Sequence, residues 1–359
     1  MQIESDGELI AMSRIVVIPA LCVALLMPPF DSLSADDELL PKHMTVDCLK
    51  ATQKGLDHIT KLQSPDGSFV SSEDGAAYPV AMTALAGLAY LAGGNTTTRG
   101  PHAEQVRKCL SFILGSAGDD GLLAAGQENG RPMYGHGFGL LFLATVYGME
   151  TDERTRERIG RAVDKAVDLT ASSQSVRGGW YYTPGSGYDE GSVTVTQLQG
   201  LRAAHEAGFT VPKGTMEGAV HYLEICRTPD GGIRYSFDSG GDTRLPITAA
   251  AICCLYSAGE YESTLADECL EYTYNQFKVG GGQFTSGHDS YLYLYATQAF
   301  YQAGDEYWDE YFPSVRDTLV KKQNGDGSWP GNWAGNVYGT CLNCIVLQIP
   351  FKYLPIYQR

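Results

Sequence analysis

One turn sequence recurs at a nearly fixed interval along this chain, and that interval dictates what the chain can fold into. Two copies, Gln174 to Trp180 and Gln323 to Trp329, share the pattern Q-x-x-x-G-x-W. A third, Gln63 to Phe69, ends in Phe; weaker copies follow Arg227, surround Gly282 and contain Asp119-Asp120-Gly121. The key glycines are Gly67, Gly121, Gly178, Gly231, Gly282 and Gly327, so the steps are 54, 57, 53, 51 and 45 residues. A period of this size is the mark of stacked supersecondary units, each unable to bury its apolar face alone.

Each unit reads helix, turn, helix. The first helices are expected at about 44–62, 101–114, 152–172, 212–225, 261–276 and 306–322. They carry charge on one face, as in Arg154 to Arg158 followed by Ala162, Val163, Ala166 and Val167, the spacing of a helix with one wet side. The second helices are expected at about 77–92, 136–147, 191–207, 245–258, 288–303 and 337–348 and are almost uncharged. A helix apolar nearly all round must be covered on most sides. The second helices therefore form an inner ring and the first an outer ring. Five inner helices run into a glycine, at Gly93, Gly148, Gly208, Gly259 and Gly304, which is the usual left-handed C-cap; the sixth runs into Pro350. Six hairpins with no polar capping unit at either end predict closure into an all-α (α/α)6 toroid.

The turn motif, its step and the alternating helices resemble the squalene-cyclase and protein-prenyltransferase repeat family over about residues 45–350. The resemblance implies a terpenoid-cyclase-like toroid. In it the motif Gln bonds a helix terminus and the Trp packs across to the next hairpin, so both are structural. It also implies where chemistry would sit. The cyclases protonate an alkene with a D-x-D-D motif, which is absent here. The prenyltransferases hold zinc with Asp, Cys and His. Asp289 falls where the Asp belongs, but Tyr291 stands in the Cys place and Gly339 in the His place. The basic residues that grip diphosphate are missing from Gly282–Gly287. Neither standard activity is expected, and no cofactor; zinc on a rearranged set of His288, Asp289 and Cys341 is the one metal site conceivable.

In such a toroid all inner helices point their N-termini to one mouth, a region of positive potential suited to anions or polar groups. The candidate catalytic residues there are His136, within Met133-Tyr-Gly-His-Gly-Phe-Gly139, Asp189 beside Glu190, and Asp289. Candidate ligand-binding residues are Tyr78, Tyr134, Glu190, Arg234, Arg244, His288, Tyr291 and Tyr338. Three readings stay open: a toroid that binds an apolar or anionic ligand, or a protein partner, at its mouth; an enzyme of altered chemistry on an isoprenoid; and a carbohydrate-active enzyme using paired carboxylates near Trp180.

Net charge is −16 with a pI near 4.8, which excludes the phosphate-neutralising surface that nucleic acid requires. Arg14, the apolar run Ile15–Met27 and the small residues Ser32 to Ala35 read as a signal peptide over residues 1–35. That leaves a toroid domain at 36–359, exported to the periplasm or secreted, without a membrane span in the mature chain and acting as a monomer. Eight cysteines lie in this domain, mostly within apolar helical patterns, and read as buried thiols; a bridge from Cys226 to Cys269 is the alternative pairing.

Overall fold

A computed structural model describes residues 40–70, 78–126, 128–284 and 286–357, so the expected signal peptide lies outside the described residues. Twelve α-helices alternate along them. The outer helices are α1 (Val46–Leu62), α3 (Ala103–Gly115), α5 (Glu153–Ser172), α7 (Lys213–Ile225), α9 (Thr264–Val279) and α11 (Asp305–Lys322). The inner helices are α2 (Pro79–Ala92), α4 (Pro132–Tyr147), α6 (Gly191–Glu206), α8 (Leu245–Ser257), α10 (Asp289–Ala303) and α12 (Gly335–Gln348). Beyond isolated bridges there is no strand among the described residues.

Composition sorts the two rings as patterning predicts. In α2 every residue after Pro79 is buried, whereas in α5 burial is confined to Ile159, Val163, Ala166, Val167 and Thr170, one stripe of an otherwise charged helix. Three outer helices, α1, α5 and α9, are started by side-chain caps: Thr45 accepts from Cys48 N, Asp152 from Thr155 N and Ser263 from Ala266 N. Three inner helices, α2, α4 and α8, instead carry proline in their first turn, where the missing N–H costs nothing.

Each inner helix packs on the inner helices before and after it, and α12 packs on both α10 and α2, so the inner ring closes. The outer ring closes where α11 meets α1. The key glycines seal both. Gly67, Gly121, Gly178, Gly231, Gly282 and Gly327 all have positive φ, between 85° and 94°, and each abuts the next outer helix. A Cβ on Gly67 would lie 2.3 Å from Lys108 O, and one on Gly327 would lie 2.4 Å from Lys54 O, which belongs to the first hairpin. At these two positions glycine is required twice over, by conformation and by room.

The motif side chains work around these turns. Gln63, Gln174 and Gln323 each donate from Nε2 to the carbonyl four residues on, and again to the next outer helix, at Gln105 O, Thr215 O and Ala51 O. The indole N–H of Trp180 and of Trp329 bonds back within its own hairpin, to Thr170 O at 2.7 Å and Leu319 O at 2.8 Å. The Trp329 ring also crosses to the next hairpin, since a Cβ on Gly55 would meet its Cζ3 at 2.8 Å. A threonine on the inner helix completes the clamp: the N–H of Phe69, Trp180, Ile233 and Trp329 donates to Oγ1 of Thr83, Thr194, Thr248 and Thr340 at 2.9–3.0 Å.

Two expected C-caps differ. Gly208, Gly259 and Gly304 have positive φ, but Gly93 (φ −83°) and Gly148 (φ −65°) do not. After α2 the reversal falls one residue later, at Gly94, and after α4 the Val146 carbonyl accepts from both Met149 and Glu150 N–H without a left-handed residue. Cysteines 48, 109, 226, 253, 254, 269, 341 and 344 are all buried free thiols, so Cys226 and Cys269 are not bridged. No helix of the described residues is long and apolar enough to cross a membrane.

Candidate functional site

The six outer-to-inner turns surround the end of the toroid where the inner helices begin. Side chains fill the bore beneath. Gln199 of α6 donates to Gln298 of α10 at 2.8 Å, and both are about 1% exposed. These helices are separated in the inner ring by α8, so the bond bridges the two neighbours of α8.

At the mouth two helix N-termini are occupied by carboxyl groups of the chain itself. Glu190 caps α6: its Oε2 accepts from Ser192 N at 2.7 Å, its Oε1 from Val193 N at 2.6 Å, and Ser192 Oγ donates to both oxygens. Burial raises its pKa, and these bonds, with one from the Tyr235 hydroxyl, work against that rise. Glu128 caps α2 from the following hairpin, its Oε1 accepting from Val80 N and Ala125 N at 3.1 Å each. It is 2% exposed, and its other oxygen is buried with no hydrogen-bond partner. Burial lifts its pKa to about 7, against those two bonds. Glu128 also sits at φ +41°, an uncommon conformation for a side chain other than glycine.

Tyrosines gather around these acids. Tyr134 stands edge-on to Tyr78, with centroids 6.3 Å apart, and 5.9 Å from Tyr182. The Tyr134 hydroxyl meets Ser192 Oγ at 2.7 Å, and the Tyr182 and Tyr235 hydroxyls meet at 2.5 Å. Tyr291, at the start of α10, packs on Tyr295 with centroids 4.6 Å apart. Burial, then Tyr295, Tyr338, Glu190 and Tyr134, hold its hydroxyl well above the ordinary range. Residues from α4, α6, α10 and α12 thus converge on one spot. The exposed Arg131 guanidinium lies 4.6 Å over the Tyr182 ring, a cation–π contact, with Tyr78, Tyr134 and Tyr235 as further neighbours.

Five of the eleven residues expected at the mouth are here: Tyr78, Tyr134, Glu190, Tyr291 and Tyr338. Others lie elsewhere. His136 is fully buried behind the inner ring. Its Nδ1 accepts from Leu123 N at 3.2 Å, so Nε2 carries the proton and reaches Thr170 Oγ1 at 2.9 Å on outer helix α5. Burial lowers its pKa to about 4. The glycines beside it allow close approach: a Cβ on Gly137 would meet Thr196 and Gln197 of α6 at 2.5–2.7 Å. Asp189 is spent on the motif turn, accepting from Ser175 Oγ at 2.7 Å and Arg177 Nε at 3.0 Å. Asp289 Oδ1 accepts from Ser286 N at 2.8 Å at the start of α10, and His288 is exposed beside it. Arg244 is exposed, and Arg234 donates to Arg227 O at 3.2 Å. Trp180, fully buried, is no platform for a sugar. Cys341 is buried within α12, and no three His, Cys, Asp or Glu side chains among the described residues are placed to hold a metal ion. Glu128, Tyr182 and Tyr235 were not anticipated. Glu128 serves the helix of the preceding hairpin, which no local spacing reveals.

No protein-family model and no curated protein matches this chain. Solved structures do resemble it. An inactive variant of the α-1,6-mannanase GH76A of Salegentibacter sp. HEL1_6, in complex with α-1,6-mannotriose, superposes with a TM-score of 0.60 at 11% identity over 84% of this chain and 98% of that one. The type II terpene cyclase MstE from Scytonema, in its apo form, gives 0.60 at 12% identity over 86% and 99%. A protein from Actinoplanes gives 0.60 at 14% identity over 86% and 99%. This chain is an α/α toroid. At these identities the likeness establishes the fold, which the terpene cyclase and the mannanase share while acting on different substrates.

Proposed function

We propose that this protein is an exported toroid that binds a small molecule at the mouth of its inner ring, without the D-x-D-D or zinc chemistry of the cyclase and prenyltransferase families. The carrying observation is the cluster of Tyr78, Tyr134, Tyr182, Tyr291 and Arg131 over the buried carboxyl groups of Glu128 and Glu190. A few convergent polar groups among aromatic rings are the usual make-up of a ligand site. The buried Gln199–Gln298 bond between α6 and α10 supports binding at the mouth over engulfment of a long isoprenoid chain. Carboxyl groups already placed at the N-termini of α2 and α6 weaken the attraction for anions that bare helix ends would exert. Export rests on the apolar run Ile15–Met27 behind Arg14.

Native mass spectrometry of the protein purified from its own host tests this reading. A small-molecule adduct that disappears in Arg131→Ala and in Tyr134→Ala supports it. An adduct that survives both substitutions, or none at all, overturns it.

A further inference from the structure

Buried polar atoms in a folded protein are almost always paired, and each exception calls for a reason. Two exceptions flank the mouth. One is Glu128 Oε2, near Gly135, where a Cβ would stand 3.4 Å away. The other is the Tyr291 hydroxyl, whose electrostatic neighbours include Tyr134 and Glu190. Beside Tyr134, Arg131, which forms no ion pair among the described residues, lays its guanidinium over Tyr182. Ser192 Oγ gives its proton to Glu190, so the Tyr134 hydroxyl must donate to Ser192 and leaves its own lone pairs open.

The unmatched groups are therefore of both kinds. Arg131 and the Tyr291 O–H are donors. Tyr134 Oη is an acceptor, and Glu128 Oε2 accepts when ionised and donates when protonated. An anionic group can only accept and an ammonium can only donate, while a hydroxyl does both.

Resting on the mouth as the binding site, we propose that its ligand is a neutral, hydroxyl-rich molecule of the saccharide class, read by Tyr291, Arg131 and Glu128 as specificity-determining residues. The tyrosine faces would stack on the apolar face of such a ring, and the unpaired groups would bond its hydroxyls.

Tyr291→Phe is the decisive variant. Its hydroxyl has no protein partner, so removing it costs the fold nothing, and a structural tyrosine would show no binding phenotype. Calorimetric titration at pH 6 uses α-1,6-mannotriose, cellotriose and inositol as neutral probes, pyrophosphate as the anion and choline as the cation. The expected result is binding of at least one neutral probe and of neither charged one. Tyr291→Phe should bind that probe about tenfold more weakly, one hydrogen bond's worth, with a melting temperature equal to or above the wild type's. Equal affinity of Tyr291→Phe and wild type overturns the proposal, as does failure of every neutral probe. Pyrophosphate binding abolished by Arg131→Ala would overturn the ligand class while leaving the mouth as the site. Silence from every probe together with a clean mass from the host would end both.

Discussion

Replacing one of the six turn glycines by alanine should cost very different amounts at different positions, and the structure says why. Gly231 (φ +88°) and Gly327 (φ +91°) share a conformation, so alanine carries the same backbone strain at either, about 1–2 kcal/mol. They differ in room. A Cβ at 231 would touch Glu268 O at 3.5 Å, an ordinary contact. At 327 it would lie 2.4 Å from Lys54 O and 2.8 Å from Lys54 C, both backbone atoms of a packed helix. Forcing the α1–α11 seam apart adds an overpacking cost of about 1–3 kcal/mol. Gly231→Ala should therefore lose about 1–2 kcal/mol and Gly327→Ala about 2–5 kcal/mol. In a domain of this size that is a melting-point drop of roughly 2–4 °C against roughly 4–10 °C, read by circular dichroism or calorimetry. Equal losses at the two sites would mean that the glycines serve only the turn and that the ring is not sealed as described.

Two buried ionisable groups should pull the pH dependence of stability in opposite directions. Burial lifts the folded pKa of Glu128 from the usual 4.5 to about 7, so its contribution is full below pH 4.5 and falls as pH rises to about 7, by up to about 3 kcal/mol. Glu128→Gln should flatten that slope in denaturant titrations at pH 5 and pH 8; an unchanged slope would refute the assignment. His136, at about 4 against 6.5, does the reverse. Its stabilisation is complete above pH 6.5 and is lost as pH falls towards 4, again up to about 3 kcal/mol. Its ring should keep the neutral Nε2–H form in nitrogen-edited NMR at pH 5.5, and a midpoint near 6.5 would contradict the buried geometry. Burial raises every described cysteine thiol, Cys226 to about 11 and Cys48 and Cys269 to about 12. Native protein should therefore leave these cysteines unreacted with a thiol reagent at pH 8 until denaturant is added.

What could be read in advance follows from how local each signal is. The glycine period and the contrast between α2 and α5 are written in consecutive residues, and they predicted both rings and their phase. The motif Gln and Trp were correctly read as staples, although the indole N–H turns back to its own hairpin while the Gln amide crosses. His136 was harder. Its surrounding glycines do mark close helix approach, but its direction depends on Leu123 and Thr170, which come from separate elements. Asp189 and Glu190 are neighbours in sequence with opposite fates, one tied to Arg177 in the turn and the other capping α6. Glu128 was invisible, because the N–H group it satisfies at Val80 is 48 residues away.

The seam between Gln323 and Ala51 joins residues 272 positions apart. In an open stack of hairpins the terminal units have one neighbour each and can fray independently. Here no unit is terminal. The last contact forms only once every intervening hairpin is placed, which makes assembly slow and strongly cooperative. The entropy of closing so long a loop grows only logarithmically with its length, so the seam is not prohibitively costly to form. Once shut, it removes the loose ends from which unzipping would start. Persistence of such a chain would then be governed by an unfolding rate rather than by an equilibrium margin.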